Sequence, residues 1–127
     1  MSEPTDIQSR EDIYRVIKYF YDRLLQDDRV AYLFTDVAKI DLLPHLERIT
    51  DFWEFILFGT KKYLGNVTQP HLQLHAKSPF SRAQFEVWHS HFNETIDQFH
   101  AGPKSDEMKS RAYAMGVMMQ AKMGLLN

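Results

Sequence analysis

The chain has 127 residues and a net charge of −2, with 44% apolar and 25% charged side chains. Its length predicts one domain, 1–127, that buries roughly two thirds of the surface exposed when unfolded, and the small charge argues against nucleic acid as a partner. Cysteine is absent, which excludes disulfides and cysteine-ligated metal centres. We see neither a signal peptide nor an apolar run long enough to span a membrane, and we therefore expect a cytoplasmic protein with no membrane partner.

The first predicted helix runs from about Arg10 to Gln26. Its apolar residues recur at steps of three and four, which indicates one buried face. These residues are Ile13, Val16, Ile17, Phe20, Tyr21 and Leu24. Ser9, with Asp12 three residues later, is a candidate N-cap. A short apolar piece around Val30 to Phe34 follows.

A second helix is predicted after Asp41, which offers a cap, and is expected to end at Gly59. Pro44 is tolerated in its first turn, because the amide that proline lacks has no helical partner there. One side of this helix is apolar and includes a histidine. That side consists of Leu42, His45, Ile49, Phe52, Trp53 and Ile56.

The pattern weakens from Thr60 to Pro79. Gly65, Pro70 and Pro79 allow at most a short helix around His71. Because loops of this length inside compact domains tend to be functional, this region is a candidate part of a site.

Ser81 and Gln84 form a predicted capping box at the start of the next helix. The apolar residues of that helix are Phe85, Trp88, Phe92, Ile96 and Phe99. Gly102 and Pro103 end it, and a last helix is expected from about Ser105 to Met123. No alternating run favours a sheet, so the predicted class is all-α.

Large polar-tipped side chains fall on the apolar faces of these helices, namely Tyr21, His45 and Trp88, while His71 lies in the irregular region. Each one alone is more often an ordinary core residue whose polar tip finds any partner. Together they favour a small-molecule pocket, because such pockets are apolar with a few polar groups converging inside. His89, His91 and His100 are instead expected to be solvated.

The order and spacing of several short pieces resemble the truncated haemoglobins, and within them the third group. The pieces are Phe20-Tyr21, Phe34 thirteen residues later, His45 before Phe52-Trp53, His71-Leu72-Gln73-Leu74, and Pro79-Phe80 leading to Phe85 and Trp88. The resemblance covers nearly the whole chain. It implies a shortened globin with helices packed two over two around haem b.

The resemblance also implies roles for individual residues. His71 is similar to the proximal iron ligand, and neutral imidazole is an ordinary axial ligand for haem. The distal polar cluster that meets the bound gas would be Tyr21, His45 and Trp88. Residues that contact or border the cofactor would be Phe34, Ile49 and Phe52, with Arg48 a candidate for the haem propionates or else a plain surface residue.

The sequence departs from the family pattern in two ways, of which the first concerns the iron ligand. His75 lies four residues after His71, so on a helix the two share a face and His75 is an alternative ligand. The pair also resembles a zinc site, but no third ligand falls at a matching spacing. The paired glycines of other truncated haemoglobins are missing, and only single Gly59 and Gly65 are present.

The implied function is the binding of dioxygen and other diatomic gases, nitric oxide and carbon monoxide included. The same pocket residues would serve nitric oxide dioxygenation or peroxidase-like chemistry, with an unknown reductase as partner, so enzymatic activity is left open. His45 is the group able to move a proton, provided the pocket leaves its pKa in a useful range. The alternative is a cofactor-free helical interaction domain.

Overall fold

The structure, a computed structural model, describes residues 3–60 and 68–126; Gly65 lies outside them. The helices in this part of the chain are α1 (Arg10–Leu25), α2 (Leu42–Phe58), α3 (Thr68–Lys77), α4 (Arg82–Phe99) and α5 (Pro103–Lys122), and Leu33–Val37 forms a π-helical turn. An isolated β-bridge pairs Thr5 with His100. The prediction of an all-α protein is confirmed. None of the described helices is both long enough and apolar enough to cross a membrane.

Two pairs of helices surround the core. α1 packs against α2, α4 packs against α5, and α1 also contacts α4. The six apolar residues predicted for the first helix are all buried in α1. They join Trp53 of α2 and Phe92 and Ile96 of α4 in one apolar cluster. Because burying one large apolar side chain contributes roughly 1.5–3 kcal/mol, this face of α1 holds the two pairs together.

Most of the predicted helix ends are confirmed. The Ser9 hydroxyl accepts the backbone N–H three residues later, at 3.3 Å. Ser81 and Gln84 form the reciprocal capping box, and Gly59 ends α2 in the left-handed conformation, with φ 72°. Asp41 precedes α2 as predicted, but its side chain makes no capping hydrogen bond. Asp41 is therefore the N-cap residue by position, without the side-chain hydrogen bond that such a cap usually makes.

The last helix begins at Pro103 rather than Ser105, because proline is pre-shaped for the first helical position. Gly102 at the N-cap has no side chain, and Asp6 supplies the missing acceptor. The Asp6 carboxylate accepts the backbone N–H groups of Lys104 and Ser105, each at 2.8 Å. Burial raises the pKa of Asp6, but these hydrogen bonds outweigh it and hold that pKa below its usual value. The N-terminal segment is thus fastened to the start of α5.

The expectation that three histidines of the α4 region are solvated is wrong. His100 is buried, and its Nδ1 hydrogen-bonds the Thr5 carbonyl oxygen at 3.0 Å. His91 Nε2 lies 2.8 Å from a carboxylate oxygen of Asp27, and His89 Nε2 is also buried. These positions are covered by segments distant in the sequence, which helical periodicity alone does not reveal.

Candidate functional site

A largely apolar cavity of about 970 Å³, part of which is open to solvent, receives side chains from all five helices and from the segment between α1 and α2. Aromatic and aliphatic groups make up most of its wall. A concave site with a mostly apolar wall and a few polar groups is the usual form of a small-molecule site. The cavity is therefore the candidate binding site.

Six of the predicted site residues line this cavity: Tyr21, Phe34, Ile49, Phe52, His71 and Trp88. The ring of Phe34 packs edge-on against that of Tyr21, with centroids 5.5 Å apart. Two others, His45 and Arg48, do not form part of the wall. Arg48 is exposed, one turn of α2 beyond His45.

His45 reaches the cavity through Tyr21, since its Nε2 lies 2.8 Å from the Tyr21 hydroxyl oxygen. Burial raises the pKa of Tyr21 far above its ordinary value, so the phenol keeps its proton. Burial, assisted by the positive charges of Arg48 and His71, lowers the pKa of His45 to about 4. At pH 7 this pair therefore consists of a phenol and a neutral imidazole.

The Tyr21–His45 pair has one O–H and one imidazole N–H to share, which allows two arrangements. If the phenol donates to Nε2, its proton is consumed within the pair. If Nε2–H donates to the phenol oxygen, the Tyr21 O–H is free to point into the cavity. The second arrangement makes Tyr21 a donor to a guest molecule, and the neutral state of His45 permits it.

Trp88 is held in place by the core. Its indole stacks on Phe92, with centroids 5.6 Å apart and planes at 15°, and meets Phe20 edge-on at 6.0 Å. Gly116 of α5 lies beside the indole, where an added Cβ would be in ordinary van der Waals contact with the ring at 3.7 Å. A second possible donor thus lines the cavity on a different helix from Tyr21.

The two histidines of α3 have different surroundings. His71 and Leu74 line the cavity. His75 does not, and its Nδ1 accepts the backbone N–H of Phe80 at 2.9 Å. Among the described residues of the wall, His71 carries the sole imidazole. Nowhere in residues 3–60 and 68–126 do three His, Cys, Asp or Glu side chains gather closely enough to hold a metal ion.

Sequence reasoning missed some wall residues. Gln84, which the sequence analysis assigned to a capping box, also lines the cavity. Its amide nitrogen donates to the Arg29 carbonyl oxygen at 2.9 Å and to the Tyr32 hydroxyl at 2.7 Å. Met115 and Met119 of α5 also belong to the wall, and the Met-rich composition of the last helix was the available signal for them.

Comparison with known proteins gives the family. The model of the bacterial-like globins matches residues 6–123, so this chain belongs to the bacterial-like globin family. The group 3 truncated hemoglobin of Campylobacter jejuni is 26% identical over 105 residues, covering 80% of this chain and 77% of that protein. The crystal structure of the group III truncated hemoglobin from Campylobacter jejuni matches with a TM-score of 0.83 at 22% identity, over 95% of each chain.

These matches confirm the predicted truncated globin fold and the resemblance to the third group of truncated haemoglobins. Globins bind haem and small gaseous ligands, and the protein is a haem protein of this general kind. The family therefore decides against a cofactor-free interaction domain. The described residues fit the cofactor, because an apolar, aromatic wall suits the macrocycle and the neutral imidazole of a histidine is a normal axial ligand.

Proposed function

We propose that the protein binds dioxygen at haem b, with His71 as the axial ligand and Tyr21 and Trp88 as hydrogen-bond donors to the gas. One observation carries this proposal: a single apolar cavity has an imidazole on α3 and possible donors on α1 and α4 in its wall. When bound, haem supplies an iron atom that takes a diatomic gas and shifts negative charge onto dioxygen, but little onto carbon monoxide.

The apolar residues of the wall would hold and enclose the cofactor. Phe34, Ile49 and Phe52 line the cavity and would contact the macrocycle. Arg48 is exposed one turn of α2 after His45, and its guanidinium would be the candidate partner of a propionate. The Tyr21 hydroxyl on α1 and the Trp88 indole N–H on α4 would then be the groups that hydrogen-bond the gas.

The distal residues act by donating hydrogen bonds in a largely apolar pocket. His45 Nε2–H donates to the Tyr21 oxygen, and the Tyr21 O–H then points to the gas. Because the phenol of Tyr21 is buried and its pKa is raised, it remains a donor across the physiological range. A hydrogen bond to a group bearing charge is worth roughly 1.5–3 kcal/mol, so this donor favours dioxygen over carbon monoxide.

Chemistry on the bound gas is the second part of the proposal. Oxidation of nitric oxide and reduction of peroxide would use the same side chains, and either needs electrons from a reductase that is still to be identified. The pocket lowers the pKa of His45 to about 4, below the range near pH 7 that suits a general acid or base. At pH 7 the neutral His45 ring therefore acts through its hydrogen bond to Tyr21. We also propose a cytoplasmic location.

The test is haem uptake by two matched variants. His71→Ala should lose stable haem, or bind it with a free axial position that added imidazole fills, while His75→Ala should keep an intense Soret band. Absorption spectra of the ferric and ferrous proteins measure both. Normal haem content and an unchanged ferrous spectrum in His71→Ala would show that the ligand assignment is wrong.

A further inference from the structure

The second histidine of α3 makes a specific contact that gas binding does not use. His75 Nδ1 accepts the backbone N–H of Phe80 at 2.9 Å, and the two rings meet edge-on with centroids 5.8 Å apart. A nitrogen that accepts a hydrogen bond carries no proton, so His75 is neutral here and its proton is on Nε2.

Phe80 connects this contact to the cavity and to the next helix. Its ring lines the cavity and packs against the ring of Phe85 in α4, with centroids 5.7 Å apart. The His75–Phe80 hydrogen bond therefore joins the C-terminal end of α3 to the start of α4.

α3 is the least buried of the helices in the described part of the chain. None of its residues is buried, whereas each of the other four helices buries four or more. It packs against α5 and the π-helical turn. Because a helix without buried residues gains little from packing, a hydrogen bond at its end has a larger share in fixing its position. His71 lies one turn before His75, so any shift of the helix end is passed on to His71.

We propose that His75 is a positioning residue: by accepting the Phe80 N–H it fixes the C-terminal end of α3 and so holds the His71 imidazole at the cavity. This inference rests on the proposed role of His71 as axial ligand. His75 itself does not line the cavity. Its contribution is to restrict the orientations that the His71 ring can adopt.

Two substitutions in the haem-loaded protein separate the acceptor from the ring. His75→Asn places an amide oxygen at the position of Nδ1 and keeps the acceptor. His75→Phe keeps an aromatic ring against Phe80 and removes the acceptor. Resonance Raman spectra of the ferrous protein report the iron–histidine stretching band, and transfer of hemin to an excess of an acceptor apoprotein gives its rate of loss.

In His75→Phe we expect a shifted or broadened iron–histidine band and hemin loss about five- to tenfold faster, the change expected for one hydrogen bond. His75→Asn should keep the parent band and a loss rate within about twofold. Faster hydrogen exchange of the Phe80 amide in His75→Phe, but not in His75→Asn, should accompany these changes.

Two results overturn the proposal. The first is that His75→Phe keeps the iron–histidine band and the hemin loss rate of the parent. The second is that both variants change equally, because the effect would then come from packing. His71→Ala is measured in parallel to keep the questions apart. If His71→Ala loses the iron–histidine band while His75→Phe is unchanged, the assignment of His71 as ligand stands and the positioning role of His75 fails. If it keeps the band, the ligand assignment fails.

Discussion

The donor role proposed for Tyr21 and Trp88 is best tested through the release of two gases. Tyr21→Phe removes the hydroxyl and keeps the ring, and Trp88→Phe removes the indole N–H at some loss of volume. Ile49→Val is the control, because it also changes the cavity wall but removes no donor. Dioxygen should leave both donor variants faster than it leaves the parent and the control.

The expected change in the dioxygen release rate follows from the burial of Tyr21. Tyr21 is 7% exposed, so water does not replace a lost hydrogen bond to the gas at low cost. A loss of about 1.4 kcal/mol corresponds to a tenfold faster release at an unchanged association rate, and a bond to a charged acceptor reaches or exceeds that value. We expect at least about tenfold faster dioxygen release from Tyr21→Phe. Carbon monoxide, which acquires little charge, should change much less.

Stopped-flow mixing measures both release rates. If both donor substitutions leave dioxygen release within about twofold of the parent, these side chains are core residues only. If carbon monoxide responds as strongly as dioxygen, the effect comes from the shape of the cavity. Either result would refute the reasoning, because the argument depends on charge at the outer atom of the gas.

Three further predictions concern His45 and Gly102. The gas-free ferrous parent should be five-coordinate, because the Tyr21 hydroxyl engages His45 Nε2 at 2.8 Å; a low-spin six-coordinate spectrum that becomes five-coordinate in His45→Ala would contradict this. Since the pKa of His45 is lowered from 6.5 to about 4, the unfolded chain takes up the proton first as the pH falls. The parent should therefore lose stability between pH 6.5 and 4, and His45→Gln should lose less. If lowering the pH from 7 to 4.5 shifts the thermal midpoints of the parent and of His45→Gln equally, this prediction is wrong. Gly102→Ala should cost at least about 1–3 kcal/mol in denaturant unfolding, because φ is 147° and a Cβ would lie 2.6 Å from Asp6 Cγ. Gly124→Ala is its control, with positive φ and no atom within 4 Å, and equal losses in the two would show that the Asp6 contact is unimportant.

The local features of the fold could be predicted from the sequence because they depend on neighbours in the chain. The apolar face of α1 follows from residues three and four apart. The capping box of Ser81 and Gln84 closes within one turn, and Gly59 adopts a conformation that favours glycine. The family resemblance likewise rests on the order and spacing of short segments along the chain. The sequence thereby determined the all-α class, the truncated globin fold and the residue types of a haem pocket.

The tertiary structure decided what depends on residues far apart. The acceptor at the start of α5 is Asp6, almost the whole chain away, and no local pattern indicates it. Periodicity puts His71 and His75 on one face of α3, and only the packing of Phe80 distinguishes their surroundings. The pKa of His45 likewise follows from burial and from the nearby charges of α2 and α3. Long-range packing sets the distance and the solvent exposure of each such group, and with them its protonation and its partner.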